Sequence, residues 1–139
     1  MDMQDYNRKL IEEFRAKRDE AGDPITDQPL LLLTTTGAKS GNRRTTPLMF
    51  VPDDDRLLVI ASNAGAPKHP DWYHNLAANP EVTVEVGAEI YEAFATVATG
   101  EQRERLWSGI VESYPFFADH QTKAASRQIP VIALEPLEG

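Results

Sequence analysis

The sequence predicts a mainly β domain of the α+β class. About six antiparallel strands close or half-close into a barrel, and helices cover its ends. Three observations predict it. Six short apolar runs are rich in β-branched residues or alternate with period two. Tight turns at Pro52-Asp53-Asp54-Asp55-Arg56 and at Gly87-Ala88 join neighbouring runs, which favours antiparallel pairing. Helical patterns stand before, between and after these runs, in a chain of 139 residues, enough for one domain with a real core.

The elements follow in order. In 4–21, Tyr6, Leu10, Phe14 and Ala21 fall near helical spacing with charges between them, and Gly22 and Pro24 end the helix. It reads first as a helix packed on the domain and second as a membrane-surface or partner helix. Arg8, Lys9, Arg15, Lys17 and Arg18 are offset by Glu12, Glu13, Asp19 and Glu20, which weakens the membrane reading. The run 30–36 barely alternates, as a strand buried on both faces does. A loop covers 37–44. The next strand is 45–51, with Pro47 where a sheet edge or bulge would tolerate it. After the turn comes strand 57–62, then a breaker-rich loop to Pro70, which opens helix 71–78. Asn79-Pro80 closes that helix.

Strand 81–86 alternates strictly and is expected to be half-exposed, and 89–98 returns beside it. Thr99 with Gln102 resembles a capping box for a helix running to Ser113. Tyr114-Pro115 breaks it, a short helix covers 116–127, and a last strand covers 129–134 before the tail. The expected organisation is a single unit over 1–139, with the amphipathic segment 1–22 free to move separately.

Composition narrows the function. The chain carries net charge -8, so a polyanion such as nucleic acid is not its partner. It has no cysteine, which removes disulfides and thiolate metal sites. His69, His74 and His120 do not make a metal set, because the five-residue spacing of the first pair suits no helix face. No apolar run approaches the ~18 residues of a membrane span. The N-terminus lacks the features of a signal peptide, so a cytoplasmic location is expected.

Against this acidic background, no Asp or Glu occurs from Gln28 to Pro52, a window that holds Lys39, Arg43 and Arg44. Gly37 and Gly41 let the backbone curl so that amides converge, and Ser40, Thr45 and Thr46 add hydroxyls. This reads as an anion site, with a solvated basic hairpin as the equal alternative. It is not a nucleotide P-loop, since Ala38 and Leu33 stand where that motif needs glycine. Trp72 and Tyr73 lie one turn into a helix, where core packing competes with ligand contact. Tyr114-Pro115-Phe116-Phe117 is an aromatic plug or a ligand-facing wall.

Two motifs carry a resemblance. Leu32-Leu33-Thr34-Thr35-Thr36-Gly37-x-Lys39-Ser40-Gly41-x-x-Arg44-x-x-Pro47-Leu48 is followed by Ala61-Ser62-x-x-Gly65-Ala66-x-Lys68-x-Pro70-x-Trp72-Tyr73-x-Asn75-Leu76-x-Ala78-Asn79-Pro80. In this order the pair resembles the deazaflavin-dependent nitroreductases of actinobacteria, over about 31–136. The resemblance implies a split β-barrel of the flavin-binding type, the deazaflavin coenzyme F420, and reduction of a quinone or nitroaromatic acceptor. It places Lys39, Ser40, Gly41 and Arg44 at the coenzyme's phosphate and glutamate tail, with Arg43 at a variable position beside them. Pro47 and Met49 lie under the ring. Ser62 and Asn63 lie near the ring and its linker, Ala61 and Lys68 of the same motif join the cofactor-binding set, and Trp72, Tyr73 and Asn75 lie on the covering helix. Tyr114 matches a tyrosine of the acceptor pocket and is the candidate catalytic residue, with the proton coming from it or from solvent.

Asn63 stands where some members have Lys, Met49 replaces an aromatic, and Phe117 and His120 stand where tyrosines occur. These departures bear on the acceptor more than on the coenzyme. The competing functions are an FMN-dependent reductase and a non-catalytic carrier of a flavin or hydrophobic ligand. A homodimer and peripheral contact with the inner face of the cell membrane are further expectations.

Overall fold

The computed structural model describes residues 3–16, 30–66, 68–124 and 127–137. Its elements are α1 (Met3–Ala16), β1 (Leu30–Thr36), β2 (Arg43–Asp53), β3 (Arg56–Ile60), α2 (Asp71–Ala78), β4 (Glu81–Val86), β5 (Glu89–Val97), α3 (Gly100–Ser113), α4 (Phe116–Ala124) and β6 (Val131–Pro136), with a 3-10 turn at Asn63–Gly65. The expected end of the first helix at Ala21, Gly22 and Pro24 lies outside the described residues.

The strands close into a barrel in the order β1-β2-β3-β6-β5-β4, all neighbours antiparallel. Side-chain alternation divides the core in two. Val59, Ile132 and Leu134 point into the barrel with Leu31, Leu33, Val82, Val84, Ala93 and Ala95. Their neighbours Leu58, Ile60, Val131 and Ala133 point outward, under Ile110, Phe117 and Ala124 of α3 and α4. The apolar runs of β3 and β6 lack alternation because both of their faces are covered.

β2 changes partner midway. Residues 43–49 pair with β1, and 50–53 pair with β3. Pro47 therefore has a paired strand on one side only, opposite Leu32, where its missing N–H is tolerated.

Three expectations need correction. β4 is not simply half-exposed, because Glu85 on its outer face is only 5% accessible. Arg15 of α1 covers it, donating from Nε to Oε1 (3.2 Å) and from Nη2 to Oε2 (2.9 Å). The capping box at α3 does not form: Thr99 occupies the cap position, but its side chain makes no capping bond. Gly100, at φ 59, turns the chain left-handed immediately after the cap, which displaces the geometry a capping box requires. The last strand begins at Val131 rather than at 129, since the Ile129 amide bonds to the Gln121 side chain instead of a neighbouring strand.

Candidate functional site

The loop between β1 and β2 is held from inside. The Gly37 amide donates to the Asn42 carbonyl (2.8 Å), the Gly41 amide to the Gly37 carbonyl (3.0 Å), and the Asn42 amide to Ser40 Oγ (3.1 Å). Gly41 sits at φ 73, a conformation glycine adopts without strain. The Ala38 amide donates to Asn75 Oδ1 on α2 (3.0 Å), and Asn75 Nδ2 donates on to Thr35 Oγ1 (3.3 Å). Four of the loop's N–H groups, those of Gly37, Ala38, Gly41 and Asn42, are thus spent within the protein. Among the described residues the amides of Lys39 and Ser40 make no such bond and remain beside the loop's side chains for an anion.

Two adjoining clefts lie on this side of the barrel, and the first begins at this loop. The polar one, of about 1310 Å³, runs between the loop, α2 and α1. Lys39, Ser40, Arg44, Thr45 and Thr46 form one wall, and Arg8 and Arg15 form the other. Glu12 and Asp71 also reach it, so its cations outnumber its carboxylates. The second cleft, of about 780 Å³, continues past Thr46, Asp71 and Trp72, which belong to both. Its walls include Pro47, Leu48, Met49 and Ile60 from the strands and Phe116, Phe117 and His120 from the α4 region. The result is one groove, cationic at one end and mostly apolar at the other.

Of the residues expected in the site, Lys39, Ser40, Arg44, Trp72 and Asn75 line the polar cleft. Pro47, Met49, Ser62, Asn63, Lys68 and again Trp72 line the apolar one. Five stand outside both. Gly41 shapes the loop. Arg43 turns away toward β4, donating to Thr36 Oγ1 (2.9 Å) and Thr83 Oγ1 (2.6 Å). Its position on a strand of period two puts it on the opposite face from Arg44. Ala61 is fully buried in the barrel. Tyr73 stacks on His69, with ring centroids 4.6 Å apart, and packs on the barrel core. Tyr114 packs against the outer core with its ring edge-on to that of Phe116, centroids 6.1 Å apart.

Sequence reading missed Arg127. Its guanidinium donates to the carbonyls of Ala66 (3.1 Å), Ala61 (3.0 Å) and Ser62 (2.7 Å), and Nη1 lies 2.8 Å from His69 Nδ1. It therefore fastens the first part of the second motif, from Ala61 to His69. Gly65 packs that segment onto α4. At φ 81, a Cβ there would lie 2.8 Å from Lys123 Cβ and 2.9 Å from the His120 carbonyl. A lone arginine after a short helix gives no sequence signal of such a role; only the fold brings it to residues more than fifty positions earlier. Burial pushes the Arg127 guanidinium down from its ordinary range, and burial followed by the nearby Arg127 and His74 charges pushes His69 down.

Comparison with known proteins identifies the family and the fold. A solved structure of an F420-H2 dependent reductase superposes with TM-score 0.71 at 45% identity, covering 82% of this chain and 100% of that one. Another, described as a domain-swapped dimer, superposes with TM-score 0.73 at 41% identity, covering 96% and 100%. An F420H(2)-dependent quinone reductase of Mycobacterium tuberculosis is 40% identical over 79 residues, 55% of this chain and 53% of its own length. The chain spans between about half and two thirds of the curated relatives it matches. The family model of the F420H(2)-dependent quinone reductases matches residues 6–136, and the chain belongs to that family.

Proposed function

We propose that this chain binds the deazaflavin coenzyme F420 along the groove and uses it to reduce a quinone-like acceptor. The observation that carries the reading is the groove itself, cationic at the β1–β2 loop and apolar beyond Trp72. Lys39, Arg44, Ser40, Thr45 and Thr46 make a donor set suited to a phosphodiester and carboxylate tail. Pro47, Met49, Ile60, Phe116 and Phe117 suit a flat ring system. The residues therefore fit the group. When bound, the reduced coenzyme supplies a hydride.

The protein's own contribution is alignment and exclusion of water. Trp72, 8% accessible and common to both clefts, is placed to fix the junction between ring and tail. Asn75 acts by holding the loop against α2, which presents Lys39. Tyr114 packs edge-on against Phe116 of the apolar wall, and the proton comes from it or from solvent.

A homodimer is part of the proposal, supported by the similar structure described as a domain-swapped dimer; sedimentation velocity tests it. Among the described residues no helix is long and apolar enough to cross a membrane. The bidentate Arg15–Glu85 pair holds α1 to the barrel, which favours the packed-helix reading over a membrane-surface one.

The test is a fluorescence titration with oxidised coenzyme F420 beside FMN, followed by single-turnover oxidation of the reduced coenzyme by menadione. Tighter binding of F420 and rapid oxidation are expected. Preferential FMN binding would overturn the coenzyme assignment, and binding without turnover would leave a carrier.

A further inference from the structure

His69 has no place in the reading above, yet it forms part of the wall of the apolar cleft. Its Nδ1 faces Arg127 Nη1 at 2.8 Å. A guanidinium can only donate, so Nδ1 must accept. The imidazole is then neutral, and its hydrogen sits on Nε2. Among the described residues Nε2 has no hydrogen-bond partner, and the sealed polar atoms without partners are Arg103 Nε and His120 Nδ1. His69 Nε2 is not one of these, so it is accessible rather than sealed, on a residue that lines the cleft. The ring cannot swing freely, because it lies against Tyr73 on one side and edge-on to His74, with centroids 4.6 and 5.8 Å away.

We propose that His69 is a ligand-binding residue whose Nε2–H donates to a carbonyl oxygen of a ring system held in the apolar cleft, and that Arg127 is the positioning residue that selects this tautomer. The cleft has other side-chain donors, Thr46, Ser62, Lys68 and Trp72 among them, but His69 is the one whose ring is fixed by an arginine on its far nitrogen. Of its other polar residues, Asn63 is already committed, its Nδ2 donating to the Lys68 carbonyl at 3.0 Å. A carbonyl buried there without a donor would lose the hydrogen bond it had in water, so the His69 donor discriminates in favour of oxo-substituted rings over hydrocarbon ones. Both the coenzyme and a quinone acceptor carry ring carbonyls, and the shared chemistry is the oxo group. The identity of the ligand rests on the function proposed above, whereas the tautomer does not.

The test therefore has two arms. The first needs no ligand: nitrogen-15 correlation spectra of the full chain should show His69 as the neutral Nε2–H form at pH 7.5. Arg127→Lys, which keeps the charge but loses the fork, should give a tautomer mixture, and a merely structural role would leave the pattern unmoved. A His69 signal in the Nδ1–H form in the wild type overturns the proposal, whether or not the variant folds. The second arm compares His69→Phe with His69→Gln, the latter keeping an N–H donor. A rise of about three- to tenfold in the Kd of oxidised F420 for the Phe variant, reversed in the Gln variant, assigns the bond to the coenzyme. The same rise in KM for menadione at unchanged coenzyme Kd assigns it to the acceptor. No change in either constant removes His69 from the site while leaving the coenzyme reading standing.

Discussion

Adjacent arginines on β2 have different expected roles, and a pair of substitutions separates them. Arg44 and Lys39 line the polar cleft, whereas Arg43 is bound to Thr36 and Thr83. Lys39→Ala should weaken binding of F420 by about 1.5 to 3 kcal/mol, the range for hydrogen bonds to charged groups. The low end is the better expectation, because Lys39 is exposed and screened by salt. Arg43→Ala should leave the Kd within about twofold. Fluorescence titration at low salt reads both, and a larger loss for Arg43 than for Lys39 would reverse the assignment. The sequence marked the acid-free loop but could not tell the two faces of β2 apart, because the register that decides them is set by pairing with β1. His69 gives a second expectation. Its folded-state pKa lies below the ordinary value because of burial and the charges of Arg127 and His74, with Tyr73 as its stacked neighbour. As pH falls below about 6.5 the unfolded chain takes up a proton that the folded site resists. Stability should therefore fall with acid through this window, and the melting temperature of wild type should drop more steeply from pH 7.5 to 5.5 than that of His69→Gln. Parallel curves would show that His69 is not held neutral.

At the scale of elements, helix and strand identity was readable throughout the described chain, since period and breakers both survive folding. What the sequence withheld was how elements meet. Glu85 sits in a strictly alternating strand, where an outward carboxylate would ordinarily be solvated. The structure buries it under Arg15 of α1, which is seventy positions away. This one pair turns an amphipathic helix of ambiguous purpose into a wall of the polar cleft. Arg15→Met should destabilise the fold by about 1 to 2 kcal/mol, less than a sealed pair would cost because Arg15 itself is half-exposed. It should also speed amide exchange in α1 more than in the barrel. Hydrogen exchange by mass spectrometry distinguishes this from uniform loosening. Unchanged α1 protection would mean that the helix is held by its other contacts, its packing on β2 among them.

At the scale of the whole molecule, the filled barrel interior and the groove are distinct regions that share Trp72. The barrel interior is filled by side chains, while the groove runs outside it, between the sheet and the helices. β6 is the strand that joins the two halves of the barrel, pairing with β3 on one side and β5 on the other. Ile132 lies opposite both Val59 and Val97 and is wholly buried. Ile132→Ala removes methyl groups at this meeting point and leaves a cavity that strands tied on both sides cannot collapse to fill. The cost should be about 3 kcal/mol, or roughly 10 °C in melting temperature for a domain of this size. Ile132→Val should cost about 1 kcal/mol. Because no atom of Ile132 lines either cleft, the Kd for F420 at 25 °C should stay within about twofold of wild type while the protein remains folded. Calorimetry and titration on the same sample check both halves. A large loss of affinity with intact folding would mean that the barrel interior is coupled to the groove, and that the rigid scaffold assumed for Lys39, Trp72 and His69 is itself part of the binding site.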